Sequence, residues 1–253
     1  MAGNTSTPGT SVVSRALALL SAFDDDHRRL TLSEMARRAD LPLPTTHRLA
    51  GELVRGGMLV RRPSGEYVVG RRLWSLGLLA PLQSGLREIA SPFLSDLHAA
   101  TLATVHLAVR DHTQALYVDR LSGGASVPVV STAGSRLPLH ATGVGKVLLA
   151  HAPERVQDQV LGSLAQMTPY TITQAGRMRE QLSRIRRDGY AATVEEMTLG
   201  ACSVAVPVRR GPGHDDVVAA IGVVVPTLKR DRARLVAALQ VAAQGIGRSL
   251  QAG

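Results

Sequence analysis

At 253 residues, 45% hydrophobic and 19% charged, the chain reads as a globular protein with room for two domains. Its formal charge of +9 and pI near 10.8 point toward a polyanionic partner, while its one cysteine, Cys202, excludes an internal disulfide and any cysteine-rich zinc site. No run approaches the roughly 20 apolar residues of a membrane helix, so a cytoplasmic protein without a membrane partner is expected.

Residues 1–10, MAGNTSTPGT, lack the basic and apolar parts of a signal peptide and read as a disordered tail. From Val12 to Phe23 the apolar positions fall on one helical stripe. Thr31 and Glu34 have capping-box spacing, which predicts a helix over 32–39. Leu41-Pro42 makes a turn, Pro44 suits the first turn of the next helix, and Gly56-Gly57 stops it. Met58–Arg62 and Glu66–Val69 then flank Pro63-Ser64-Gly65 as a basic hairpin. Two short helices, a tight turn and a hairpin within residues 30–70 are the layout of a winged helix-turn-helix, whose second helix enters the DNA major groove. A linker helix follows over 70–79, with Leu73, Leu76 and Leu79 spaced for packing and Pro81 at its end.

Beyond the linker the period changes. Strands are predicted at Thr104–Arg110, Ala115–Arg120, Val127–Ser131, Tyr190–Glu195, Cys202–Arg209 and Val217–Pro226. Helices are predicted at Gly145–Ala150, Glu154–Leu161, Thr173–Arg187 and Arg230–Leu250. The mixed order without repeating βαβ units argues an α+β fold. The domains are therefore the tail 1–10, a winged helix-turn-helix 11–70, a linker helix 71–83 and a regulatory domain 84–251.

On the second helix Pro44, Thr45, Thr46, His47 and Arg48 occupy the first turns. Hydroxyls and free N–H groups there suit phosphates, and an arginine takes guanine O6 and N7 in a bidentate contact. Arg61 and Arg62 precede the hairpin turn, where a wing meets the DNA backbone or minor groove. Gly143-Val144-Gly145-Lys146 is not a nucleotide loop, because the spacing is short and Val147 follows the lysine. His98, His106 and His112 lack zinc-protease spacing. Glu195 and Glu196, adjacent on a strand, should face opposite ways. No metal, cofactor or catalytic group is expected. A hydrolase using Ser203 or Ser131 with His140 stays open as a rival, although no G-x-S-x-G elbow is present. So does a small-molecule sensor that has lost DNA binding.

The stretches LSEMARRADLPLPTTHRLAGEL (32–53), GEYVVGRRLWSLG (65–77), SRLPLHATGVGKVLLA (135–150), TPYTIT (168–173), RRDGYA (186–191) and EEMTLGACSVAVPV (195–208) together resemble the IclR family of bacterial transcriptional regulators. The resemblance implies an N-terminal winged helix, a linker helix and a C-terminal GAF-like effector-binding domain with an antiparallel sheet flanked by helices. It also implies double-stranded operator DNA and a small organic acid as partners, and assembly into a homodimer or homotetramer. Carried over residue by residue, the family's effector pocket falls on Val129, Leu137, Gly143, Val144, Thr193, Ser203, Gly222 and Val224. His140 becomes structural or pocket-adjacent. Family members that bind very small oxo-acids carry an acid near Thr193 and serines matching Gly222 and Val224. Their replacement here implies a larger, more apolar effector, an aromatic acid rather than glyoxylate or pyruvate, with Gly222 leaving room for its body.

Overall fold

The computed structural model describes residues 11–24, 27–77, 84–123, 127, 130–210, 216–229 and 231–252. The tail at 1–10, Leu79 and Pro81 of the linker, and Val129 lie outside the described residues. The chain divides into two compact units, 1–81 and 82–253, each built on its own apolar core.

In the first unit α1 (Val12–Leu20) is capped by Ser11, whose side chain accepts from Ser14 N at 3.0 Å. The capping box at the start of α2 (Leu32–Arg38) is present. Glu34 N donates to Thr31 Oγ1 at 3.3 Å, and Thr31 N donates to Glu34 Oε2 at 2.7 Å. Such a cap stabilises a helix by about 1 kcal/mol. α3 (Leu43–Arg55) begins one residue before Pro44 and ends at Gly56. On it Thr46, Leu49 and Ala50 are buried, with Leu53 packed beside them. β1 (Leu59–Arg61) and β2 (Tyr67–Val69) pair antiparallel with Arg61 opposite Tyr67. Leu30 adds a bridge to Tyr67 through two backbone hydrogen bonds, 2.7 and 3.1 Å. Leu19, Leu30, Met35, Leu49, Leu59 and Tyr67 close the core. α4 (Arg71–Gly77) buries none of its residues, and Trp74 is 68% exposed.

In the second unit β3 (Thr104–Asp111), β4 (Gln114–Leu121), β5 (Arg136–Pro138), β6 (Ala191–Val194), β7 (Cys202–Arg210) and β8 (Asp216–Val225) form one antiparallel sheet in the order β5-β4-β3-β8-β7-β6. Two departures from expectation stand out. α5 (Ser84–Thr101) was not legible as a helix, because Pro92 sits inside it. The strand expected at Val127–Ser131 is corrected: none of its described residues is in a strand. Arg136–Pro138 takes the free edge of β4 instead, and Ser131 is turned inward to His106.

The period of two along the strands sorts the sheet into two faces. Val105, Leu107, Val204, Val206, Ile221 and Val223 pack toward α5 and α9 (Arg232–Ala252), whose Leu235, Leu239, Ala242, Ala243 and Ile246 complete that layer. Ala108, Tyr117, Ala205 and Ala220 pack toward α6 (Gly143–Ala150), α7 (Glu154–Leu161) and α8 (Ala175–Asp188). The small side chains on this face let α6 lie against the sheet with all eight of its residues buried.

Candidate functional site

The first unit offers the surface of α3 and the hairpin. No side chain caps the N-terminus of α3, so its first amides are left for an outside acceptor such as a phosphate. Pro44, His47 and Arg48 are exposed and Thr45 half-buried. Thr46 is a correction. It is fully buried, and its Oγ1 donates back to Pro42 O at 3.2 Å, so it braces the helix start and cannot touch DNA. One turn beyond Arg48, Glu52 pairs with Arg55. Arg61 and Arg62 are both exposed on the hairpin. The Arg61 guanidinium lies 5.9 Å from the ring centroid of Tyr67, which is buried and ties the hairpin to the body.

The second unit carries a cavity between the sheet and the start of α6, about 490 Å³ including its open mouth. Leu137, Gly143, Val144, Thr193, Ser203, Gly222 and Val224 all line it. The register explains how residues so far apart in sequence meet. Thr193 on β6 faces Ser203 on β7, Ser203 faces Val224 on β8, and Gly222 faces both Ala205 and His106. Thr193 Oγ1 and Ser203 Oγ are 2.6 Å apart. Thr142 caps α6 by accepting from Gly145 N at 3.1 Å. The N–H groups of Gly143 and Val144 find no acceptor among the described residues, and both residues face the cavity. A buried helix start with free amides is an anion site. A Cβ at Gly143 would lie 2.5 Å from Ser203 Oγ, so a side chain there would force the serine hydroxyl to turn away.

Gly222 is a second correction. A Cβ there would meet Val144 Cγ1 and Val204 O at 3.0 Å and Ala205 Cβ at 3.1 Å. The space its missing side chain leaves is filled by Val144, not kept for a ligand.

Several lining residues were not found from sequence, among them His106, Tyr117, Ser131, Met197 and Thr198. For His106 a signal existed, since it alternates onto the same sheet face as Ala108. The turn after β6 brings Met197, Thr198 and Ala201 to the cavity and is held at its start. Lys146 Nζ donates to both carboxylate oxygens of Glu196 at 2.6 Å and to Gln181 Oε1 at 2.7 Å. Thr168 Oγ1 donates to Glu195 O and Thr171 Oγ1 to Glu196 O, each at 2.7 Å. The expectation for Glu195 and Glu196 is corrected: β6 ends at Val194 and neither residue is in a strand, Glu195 turning the chain with φ 55° and half-buried, Glu196 buried. Burial pulls the Lys146 ammonium below the ordinary lysine value, against the attraction of Glu196.

Burial, helped by the nearby charge of Arg120, pushes the His106 imidazole down to about 3. His151 goes the same way, to about 4, through burial and then Arg209 and Arg186. Both are therefore neutral in the folded protein at pH 5, where an unfolded chain's histidines carry a proton. The stability this contributes is full above the unfolded value of 6.5 and is lost as pH falls below it. For His106 alone the loss between pH 7 and pH 5 is about 2 kcal/mol. Urea unfolding at the two pH values should show it, and His106→Gln should reduce the difference. A wild-type midpoint independent of pH over this window would contradict the neutral assignment.

The comparisons agree with this anatomy. The IclR helix-turn-helix domain matches residues 12–63, and the bacterial transcriptional regulator IclR C-terminal domain matches residues 82–248. The chain belongs to the IclR family of bacterial transcriptional regulators. It is 30% identical over 226 residues to the HTH-type transcriptional regulator XynR of Escherichia coli, covering 88% of this chain and 89% of that protein. It is 29% identical over 231 residues to the HTH-type transcriptional repressor AllR of the same species, covering 90% and 84%. A solved IclR homologue from Microbacterium hydrocarbonoxydans, complexed with 4-hydroxybenzoate, matches with TM-score 0.90 at 34% identity over 96% of this chain and 100% of that one. As an IclR regulator the protein is not an enzyme. The rival serine–histidine arrangement is also not assembled: His140 Nε2 bonds Ala165 O, Ser203 bonds Thr193, and Ser131 bonds His106. Among the described residues no helix is long and apolar enough to cross a membrane.

Proposed function

We propose that this IclR regulator reads operator DNA of a catabolic operon through α3 and the hairpin, and responds to an aromatic monocarboxylate held in the cavity. One observation carries the effector class. Two free amides at the buried start of α6, beside Ser203, open into a cavity walled by Leu137, Val144, Tyr117 and Val224. Such a site offers one anion cradle and, beyond it, an apolar stretch of wall. A small oxo-acid would leave its keto oxygen facing apolar wall, and each unpaired polar group costs about 1–3 kcal/mol. An aromatic acid places its ring there instead. The homologue complexed with 4-hydroxybenzoate supports this class. Arg48 on α3 is the base-reading residue, Thr45, His47 and the amides of α3 hold the backbone, and Arg61 or Arg62 meets the flanking phosphates.

Val12, Val13 and Leu17 on α1, and Trp74 and Leu76 on α4, are exposed apolar residues of the DNA-reading unit, which supports a homodimer or homotetramer binding symmetric half-sites. Titration calorimetry with benzoate, 4-hydroxybenzoate, glyoxylate and pyruvate tests the effector. Micromolar binding of an aromatic acid with no measurable heat for the oxo-acids is expected. Tighter binding of glyoxylate would contradict the pocket, and a monomer by light scattering in the presence of DNA would contradict the assembly.

A further inference from the structure

We infer that His106 and Ser131 form the specificity end of the effector cavity, where they receive a hydroxyl group para to the carboxylate of the aromatic effector. The inference rests on the effector class proposed above and adds which member of that class the pocket selects. Both residues line the cavity and are nearly sealed from solvent, His106 4% and Ser131 2% exposed. They come from segments 25 residues apart, and Ser131 Oγ lies 2.8 Å from His106 Nε2.

A buried hydroxyl and imidazole carry a desolvation cost that one mutual hydrogen bond only partly offsets. Their remaining capacity defines what fits. If Ser131 donates to Nε2, its oxygen keeps two lone pairs; if Nε2 donates, it keeps one lone pair and its own O–H. In either tautomer Ser131 Oγ can accept from a phenolic O–H. Tyr117 stands edge-on to the imidazole at 4.9 Å and 89° and limits its rotation. The Tyr117 hydroxyl is itself engaged by Thr142.

The distance fits as well. The carboxylate end lies over β7, at Ser203 and the start of α6. His106 lies on β3, two strands across the sheet in the order β3-β8-β7. Two strand spacings are about 10 Å, which matches a benzene ring with hydrogen-bonded polar groups at both para positions. The charge state argues for a hydroxyl over a second carboxylate. His106 is neutral at physiological pH, held so by burial and by Arg120, and Arg120, opposite it on β4, is not among the residues lining the cavity.

Calorimetry of the full-length protein with benzoate, 4-hydroxybenzoate and terephthalate, on the wild type and on Ser131→Ala, tests the assignment. The wild type should bind 4-hydroxybenzoate about tenfold tighter than benzoate, the value of one satisfied buried hydrogen bond. Ser131→Ala should bring that ratio close to one, and His106→Phe should do the same. Equal wild-type affinity for benzoate and 4-hydroxybenzoate would overturn this inference while leaving the aromatic effector in place. An equal loss for both ligands in Ser131→Ala would mark the serine as structural support and overturn it too, as would tighter binding of terephthalate. Failure of all three acids to bind the wild type would overturn the effector class itself, and this inference with it.

Discussion

Lys146→Met should cost the effector-binding unit about 3–5 kcal/mol of stability, the largest single effect expected in the molecule. The lysine has no solvent exposure, and among the described residues its ammonium is matched by Glu196 and Gln181. Removing it leaves the Glu196 carboxylate buried, charged and without its cation. The double variant Lys146→Met/Glu196→Leu should recover most of the loss, because an apolar pair of similar volume no longer has a charge to desolvate. Urea unfolding of the single and double variants checks this, and a single variant as stable as the wild type would contradict it. The pair also fixes the start of the turn that brings Met197, Thr198 and Ala201 to the cavity. Effector affinity in the double variant should therefore fall even where stability returns.

Arg48→Ala should weaken operator binding by about 1–3 kcal/mol and relax selection at one base position. The residue is exposed on the second turn of α3, and Glu52 is engaged with Arg55. Arg62→Ala should act differently. Its proposed contact from the hairpin is to phosphates, so binding should weaken across all sequences, and the salt slope should fall by roughly 0.9 for each lost phosphate contact. Gel-shift measurements over an operator series at several salt concentrations separate the two. Identical footprints and slopes for both variants would contradict the placement of α3 and the hairpin on DNA.

The DNA-reading unit was legible because its signals are local. Thr31 and Glu34 announce a helix start, Leu41-Pro42 a turn and Gly56-Gly57 a stop, each within a few residues. Thr46 was misassigned by position alone; its spacing to Leu49, Ala50 and Leu53 places it on the buried stripe of α3. α5 was missed although Leu86, Ala90, Phe93, Leu94 and Leu97 carry helical spacing, since Pro92 interrupts the pattern. In the second unit the strands were readable from valine-rich runs, but their order was not. The pocket positions came from resemblance, and only the strand register explains why Thr193, Ser203 and Val224 meet. Neither the 50-residue reach from Lys146 to Glu196 nor the 25-residue reach from His106 to Ser131 has a local signal. Gly222 was misread because the side chain above it, Val144, arrives from a different element.

In the proposed function the cavity and the DNA-reading surface belong to one regulated molecule, so binding at each must alter binding at the other. A duplex selected by the protein from a random-sequence pool supplies the operator. Its affinity is measured by fluorescence anisotropy with and without saturating 4-hydroxybenzoate, and the affinity for 4-hydroxybenzoate by calorimetry with and without saturating duplex. Both affinities should change by the same factor, roughly fivefold or more, as linkage requires. Selection of no duplex, or tight binding of both partners with neither affected by the other, would contradict it.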